Sequence, residues 1–259
     1  MIVDCHAHIE GLPGCSWQDP PELMIRLMDE AGIQRAIVMT YVDAPGDYGA
    51  YDPIAYVADS VAKYPERLWG MARLDPSQGQ KARDLLVRSI GELGFKGLKL
   101  HPFGYRLPPD GPETVALVNV AAELHAPVLL HCGDEDYTRP LELARLAKVC
   151  PSATLIFGHM GGYFHVHDAI RVAREFPNVV LDTSGMPYPE AIGLAVKELG
   201  PEKVLFASDG PGSDPKVELF KVERSGVTGK ALERVLSENI LELVSRIQAP
   251  RVGGEGGRA

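Results

Sequence analysis

Met1-Ile2-Val3-Asp4-Cys5-His6-Ala7-His8 is the stretch on which both the fold and the chemistry turn. It opens on an apolar run and closes on two histidines spaced i, i+2. Side chains alternate between the faces of a regular strand, so this spacing predicts Asp4, His6 and His8 on one face and Cys5 and Ala7 on the other. Two imidazoles converging at a strand end suit zinc or a transition metal. Taken alone, the same residues read equally well as a strand fraying into a polar loop. The choice between the two rests on what the rest of the chain supplies.

Working outward, short apolar runs recur at residues 33–40, 68–74, 97–101, 128–131, 154–159, 179–183 and 204–208. Between them lie segments of helical spacing at about residues 21–31, 53–63, 77–93, 112–125, 139–149, 165–176 and 189–199, with two more at 215–222 and 229–247. Strands alternating with helices imply right-handed βαβ units and a parallel sheet. Eight such units in 259 residues predict an α/β fold, a single-domain (β/α)8 TIM barrel over residues 1–250. No G-x-G-x-x-G follows an early strand, which weakens a dinucleotide-binding alternative. The Gly-rich end, residues 251–259, has no apolar periodicity and is expected to be a flexible tail.

Composition narrows the partners. A formal net charge of -9 argues against nucleic acid or an anionic membrane surface. No apolar run approaches the ~20 residues of a membrane span. Strand-like sequence begins at Ile2 and leaves no room for a signal peptide, so a cytoplasmic protein is expected. Cys5, Cys15, Cys132 and Cys150 form no C-x-x-C and suggest no disulfide framework.

In a barrel of this kind, chemistry gathers at the C-terminal ends of the strands. Those ends carry His6-Ala7-His8, Lys99-Leu100-His101, His131-Cys132-Gly133, His159-Met160-Gly161-Gly162 and Ser208-Asp209-Gly210. By contrast, His165-Val166-His167 opens a helix, where i and i+2 do not face each other, and reads as solvated or capping. His125 ends a helix and reads as a partner of its dipole.

Asp4-x-His6-x-His8, Gly97-Leu98-Lys99-Leu100-His101-Pro102, Leu130-His131, Gly158-His159-Met160-Gly161-Gly162 and Phe206-Ala207-Ser208-Asp209 together resemble the amidohydrolase superfamily. More narrowly, they are similar to its amidohydrolase-2 branch, which includes aminocarboxymuconate-semialdehyde decarboxylase. The likeness runs in consistent order from residue 4 to about residue 209. It implies one divalent metal held by His6, His8, His131 and Asp209, with His159 as the non-ligating histidine that polarises substrate or handles protons. Imidazoles with a carboxylate suit zinc, with manganese or iron as alternatives. An open coordination position would lower the pKa of bound water to ~7, and Asp209 can accept its proton.

Lys99 has two readings: a carboxylated bridge between two metals, or, as its Lys-x-His-Pro setting suggests, a pocket residue. With His101 on the same face it would bind an anionic substrate group. Arg73, ending the third strand, is either a second anion contact or the partner of a rim carboxylate. The plainer alternative for Lys99 is a pair with Asp182. Tyr41, Tyr105, Tyr163 and Tyr188 fall in loops on the same side. The leading expectation is hydrolysis of a small carboxylate-bearing amide or lactone. The alternative is non-oxidative decarboxylation, and the third is a barrel that binds metal without turnover. A homodimer that roofs the site is compatible with the short loops.

Overall fold

The computed structural model describes residues 1–248, so the expected tail at 251–259 lies outside the described residues. Nine strand segments alternate with helices. The strands are β1 (Val3–His8), β2 (Arg35–Met39), β3 (Leu68–Gly70), β4 (Ala72–Arg73), β5 (Leu98–Leu100), β6 (Val128–His131), β7 (Leu155–Gly158), β8 (Val179–Asp182) and β9 (Val204–Leu205). All pairings are parallel, in the orders β1-β2-β3 and β4-β5-β6-β7-β8-β9.

The expected third strand is interrupted at Met71, whose N–H donates across to Val38 O at 2.9 Å. On the other side the chain following β9 runs along β1. Cys5 N donates to Phe206 O at 3.2 Å, Asp209 N to His6 O at 2.7 Å and His8 N to Gly210 O at 2.6 Å. Joined at these two seams, the segments form the eight-stranded TIM barrel that the alternation predicts.

The helices are α1 (Pro21–Ala31), α2 (Pro53–Lys63), α3 (Gln80–Gly91), α4 (Pro102–Tyr105), α5 (Pro112–Glu123), α6 (Pro140–Val149), α7 (Val166–Glu175), α8 (Pro189–Leu199), α9 (Pro215–Arg224), α10 (Gly229–Glu233) and α11 (Asn239–Ser245). Helices α1, α2, α5, α6, α8 and α9 each open on proline, whose fixed φ suits the first turn and whose missing N–H would have no intrahelical partner there. The short α4 was not expected; it opens on Pro102 directly after His101.

Two apolar clusters divide the core. Leu98, Leu100, Val128, Leu130, Leu155 and Phe157 face the helices, while Val3, Cys5, Ile37, Met39, Leu129, Ile156, Leu205 and Ala207 fill the barrel interior.

That division corrects the expected faces of β1. Its pairing with β2 shifts register between Asp4 and Ala7, so three steps along β1 match two along β2. The extra residue breaks alternation, as a β-bulge does. Cys5 joins the interior instead of sharing a face with Ala7, which packs in the outer cluster. Asp4 leaves the histidine face and turns to the neighbouring strand end, accepting from Ser208 N at 3.0 Å and Ser208 Oγ at 2.5 Å.

Candidate metal centre and active-site cleft

The bulged end of β1 brings His6 and His8 against Asp209, which follows β9. His6 Nε2 and His8 Nε2 lie 3.2 and 3.1 Å from the same atom, Asp209 Oδ1, and 3.3 Å from each other. Two nitrogens and a carboxylate oxygen converging at this spacing fit one divalent cation. Asp209 itself has φ of +57°, a left-handed conformation that a non-glycine residue adopts only when its surroundings enforce it.

The far ring nitrogens fix the tautomers. His8 Nδ1 faces the Thr40 carbonyl at 3.3 Å, so it carries the proton and leaves Nε2 as the donor atom. His6 Nδ1 lies 3.0 Å from Asp182 Oδ2, a carboxylate with no exposed surface. Asp182 Oδ1 also accepts from His159 N at 2.9 Å, Ser184 N at 3.0 Å and Ser184 Oγ at 2.7 Å. Burial pushes the Asp182 carboxyl up, but the hydrogen bonds it accepts from His6 and from the Ser184 hydroxyl outweigh it and hold it below the usual range. Burial, reinforced by the charge of Lys99, holds the His6 imidazole well below its usual range, so it is neutral at pH 7. A Cβ at Gly158 would lie 3.0 Å from Leu130 O and 3.4 Å from Asp182 Oδ2, so this position has little room for a side chain.

His159 stands beside this cluster on a turn of unusual backbone. His159, Met160, Gly161 and Gly162 all have positive φ, two of them without being glycine. Such strain costs of order 1–3 kcal/mol per residue and persists only where neighbours enforce it. Here Asp182 caps the His159 N–H, and Asp134 accepts from Tyr163 N and Phe164 N at 3.2 and 3.1 Å. The imidazole is held between Ser184 O, 3.3 Å from Nδ1, and His131 Nδ1, 3.1 Å from Nε2.

The structure therefore brings His6, His8 and Asp209 together and places the fourth expected ligand, His131, outside that trio. Its two nitrogens face His159 Nε2 at 3.1 Å and Glu135 Oε2 at 3.3 Å. Glu135, four residues beyond the strand end, is held down to about 2, first by the His131 hydrogen bond. His131, Glu135, His159 and Asp209 line a cleft of about 170 Å³. A larger hollow of about 530 Å³, lined by Pro45, Asp52, Lys81 and Arg88, lies elsewhere and contains none of these groups.

Lys99 does not make the expected alternative pair with Asp182, whereas Arg73 takes the carboxylate-partner place of its two expected ones. Lys99 is 2% exposed, and its Nζ lies 2.8 Å from His6 Nε2, not against Asp182. The ammonium thus donates to the lone pair that a metal would use. Burial, partly offset by the charge of Asp209, lowers it to about 8. Arg73 is the partner of a carboxylate: its Nε donates to Asp43 Oδ1 at 2.8 Å, and its Nη2 to His101 Nδ1 at 3.0 Å. His165 and His125 stay out of the site. His165 Nδ1 lies 3.6 Å from Asp168, and His125 takes the left-handed position beyond α5.

Several contributors were not read from the sequence as site residues. Asp182-Thr183-Ser184 ends β8, so a carboxylate at a strand end was the available signal. Glu10 was visible only as a residue after the histidines. It is 1% exposed and binds Tyr41 N, Val42 N and the Tyr51 hydroxyl, tying two loops together behind His8. Tyr41 stacks on the His8 ring with centroids 4.3 Å apart and planes 12° from parallel.

Residues 3–246 match the family model described as Amidohydrolase, of the amidohydrolase-2 type. The chain belongs to the amidohydrolase family. Among curated proteins it is similar to the gamma-resorcylate decarboxylase of Polaromonas sp. (strain JS666), with 26% identity over 254 residues, covering 74% of this chain and 77% of that protein. Among solved structures it is similar to a dihydroxybenzoic acid decarboxylase from Polaromonas sp. JS666 containing manganese and 2-nitroresorcinol. The TM-score is 0.72 at 20% identity, covering 94% of this chain and 96% of that one. A 5-carboxyvanillate decarboxylase from Novosphingobium aromaticivorans, containing manganese and 4-hydroxy-3-methoxy-5-nitrobenzoic acid, gives 0.75 at 16% identity, covering 95% and 96%.

This amidohydrolase-family chain is an enzyme, and its relatives correct the leading expectation. Hydrolysis of an amide or lactone was expected from the metal-and-carboxylate chemistry of the strand ends. The named relatives instead remove carbon dioxide from aromatic acids. The donor set could not separate the two reactions, because both use the same metal-holding residues. The zinc expectation likewise finds manganese in those relatives. No helix among the described residues is long and apolar enough to cross a membrane.

Proposed function

We propose that this protein is a metal-dependent, non-oxidative decarboxylase of a small hydroxylated aromatic carboxylic acid. The observation that carries the reading is the 26% identity, spread over 254 residues, to a gamma-resorcylate decarboxylase. The site supports it: His6, His8 and Asp209 would hold one divalent cation, manganese or zinc, beside a small cleft. When bound, the cation supplies positive charge that orients the substrate's oxygens and stabilises charge developing on them.

The chain's own groups do the rest. In the net reaction the bond between ring and carboxylate breaks, its electron pair stays on the ring carbon, and that carbon takes up a proton. His159 is the group assigned to that proton. Its Nδ1–H is anchored on Ser184, so Nε2, which faces His131 Nδ1 at 3.1 Å, is the atom that exchanges a proton in the cleft. Lys99 contributes positive charge, and neutral His101 contributes an N–H donor, for the anionic substrate. The aromatic rim at Tyr163 bounds the cleft.

The test is a panel of hydroxybenzoates, lactones and amides offered to protein loaded with manganese and, separately, with zinc. The expected result is carbon dioxide in a one-to-one ratio with the decarboxylated phenol. His159→Asn should lower the rate by ~10²–10⁴-fold while retaining the metal. Ring opening or amine release without carbon dioxide would overturn the reading.

A further inference from the structure

Arg73 stands at the rim of the candidate site, but both of its assigned contacts are with protein. Its side chain is 9% exposed; Nε is spent on Asp43 and Nη2 on His101 Nδ1. The position is fixed by backbone as well. Ala44 N donates to Arg73 O, and Asp75 N donates to Ala44 O, each at 2.9 Å, so the loop after β2 is stitched to the end of β4 beside Asp43. The Tyr48 hydroxyl closes the same loop on Asp43 O at 2.9 Å.

The donor rule then decides the state of His101. A guanidinium only donates, so His101 Nδ1 must accept, and a ring that accepts at Nδ1 is neutral with its proton on Nε2. That Nε2 has no protein hydrogen-bond partner among the described residues. The ring lies 4.4 Å, centroid to centroid, from His131, which lines the cleft. His101 is thus a neutral imidazole with a single N–H left for a ligand.

We propose that Asp43, Arg73 and His101 form a relay in which Asp43 orients Arg73, Arg73 fixes the tautomer of His101, and His101 offers Nε2–H to a ligand oxygen. Arg73 and Asp43 are positioning residues in this scheme and do not touch the substrate. The ligand class is an oxyanion or hydroxyl oxygen on the aromatic acid, a choice that rests on the decarboxylase reading. A neutral donor of fixed direction favours an oxygen at one position on the ring, where a mobile cation would accept an anion in many poses. The relay is therefore the element that would discriminate between isomeric hydroxybenzoates.

The experiment has two arms. In the first, the protein is labelled with ¹⁵N-histidine and its ring tautomers are read by long-range ¹H–¹⁵N correlation at neutral pH, with His101 assigned from His101→Gln. Wild type should show His101 with the proton on Nε2, and Arg73→Met should show mixed tautomers. An Nδ1–H tautomer in wild type, or no change in Arg73→Met, overturns the relay. If Arg73→Met does not fold, Asp43→Asn serves instead: it should lower the Nε2–H population, and no change there overturns the proposal.

In the second arm, kcat/KM is compared across isomeric hydroxybenzoates with metal content measured in each variant. His101→Phe should lose about ten- to a hundredfold on the preferred isomer, the range for a lost hydrogen bond to a charged group, while His101→Gln, which still donates, recovers most of it. Equal losses for Phe and Gln overturn the donor role. A wild-type protein that decarboxylates none of the panel sinks the decarboxylase reading, and the tautomer arm still decides the relay.

Discussion

Replacing Asp182 by asparagine changes one oxygen to an amide nitrogen and should weaken metal binding more than it weakens the fold. The wild-type carboxylate serves four donors: His6 Nδ1 on one oxygen, and His159 N, Ser184 N and Ser184 Oγ on the other. An asparagine can keep its carbonyl toward only one side. The cheaper choice keeps the three donors and turns the amide toward His6, where one N–H would oppose another. His6 escapes that conflict by moving its proton to Nε2, which removes the lone pair aimed at Asp209 and at a bound metal. Loss of such an orienting partner typically lowers metal affinity ten- to a hundredfold, roughly. The fold loses a hydrogen bond to a charged group, about 1.5–3 kcal/mol. At about 2–4 °C per kcal/mol for a domain near this size, the melting temperature falls by several degrees. Calorimetric titration of manganese and of zinc into metal-free protein, with melts recorded in chelator, measures both effects. Unchanged affinity with a lowered melt would show that Asp182 supports the turn at His159 and does not set the His6 tautomer.

Two further expectations concern the supports of the site. Tyr41→Leu removes the flat surface under the His8 ring and should weaken metal binding by roughly tenfold, whereas Tyr41→Phe keeps the stack and should stay near wild type; equal behaviour in the same titration would deny the stack a role. Glu218 gives a pH dependence with a definite sign. Burial raises its carboxyl from 4.5 to about 7, against the pull of Lys221 and the Gly185 N–H. Between those values the folded state holds a proton that the unfolded chain has released, so this group's contribution to stability falls as pH rises through that window. Glu218→Gln should remove roughly 3 kcal/mol of that decline at most, measured by denaturant midpoints at both ends of the window. Identical pH slopes in the two proteins would refute a protonated Glu218.

Much of the architecture was legible because it is written in local periodicity. Apolar runs at regular spacing, helical periodicity between them and histidines ending the strands each report on a few neighbouring residues. These features located the barrel, and with it the face on which His6, His8, His101, His131, His159 and Asp209 gather. The faces of β1 were misread for the same reason. Strict alternation holds only in a regular strand, and the bulge at Cys5 and His6 comes from matching β1 to β2, a partner some thirty residues away in sequence.

What the chain by itself determined is therefore the strand-end histidines and Asp209 and the end of the barrel at which they meet, while the roles of Asp182 and Glu10 emerged only from the structure. Tertiary structure decided how they are shared out. His131 sits against Glu135 and His159 instead of in the His6, His8 and Asp209 trio. Lys99 lies on His6 and not on Asp182, and Arg73 spends its donors on Asp43 and His101. Each of these outcomes depends on hydrogen-bond distances between side chains from different strands and loops. Such distances are set to within an ångström by barrel closure and loop packing, and residue spacing along one chain carries no information at that resolution.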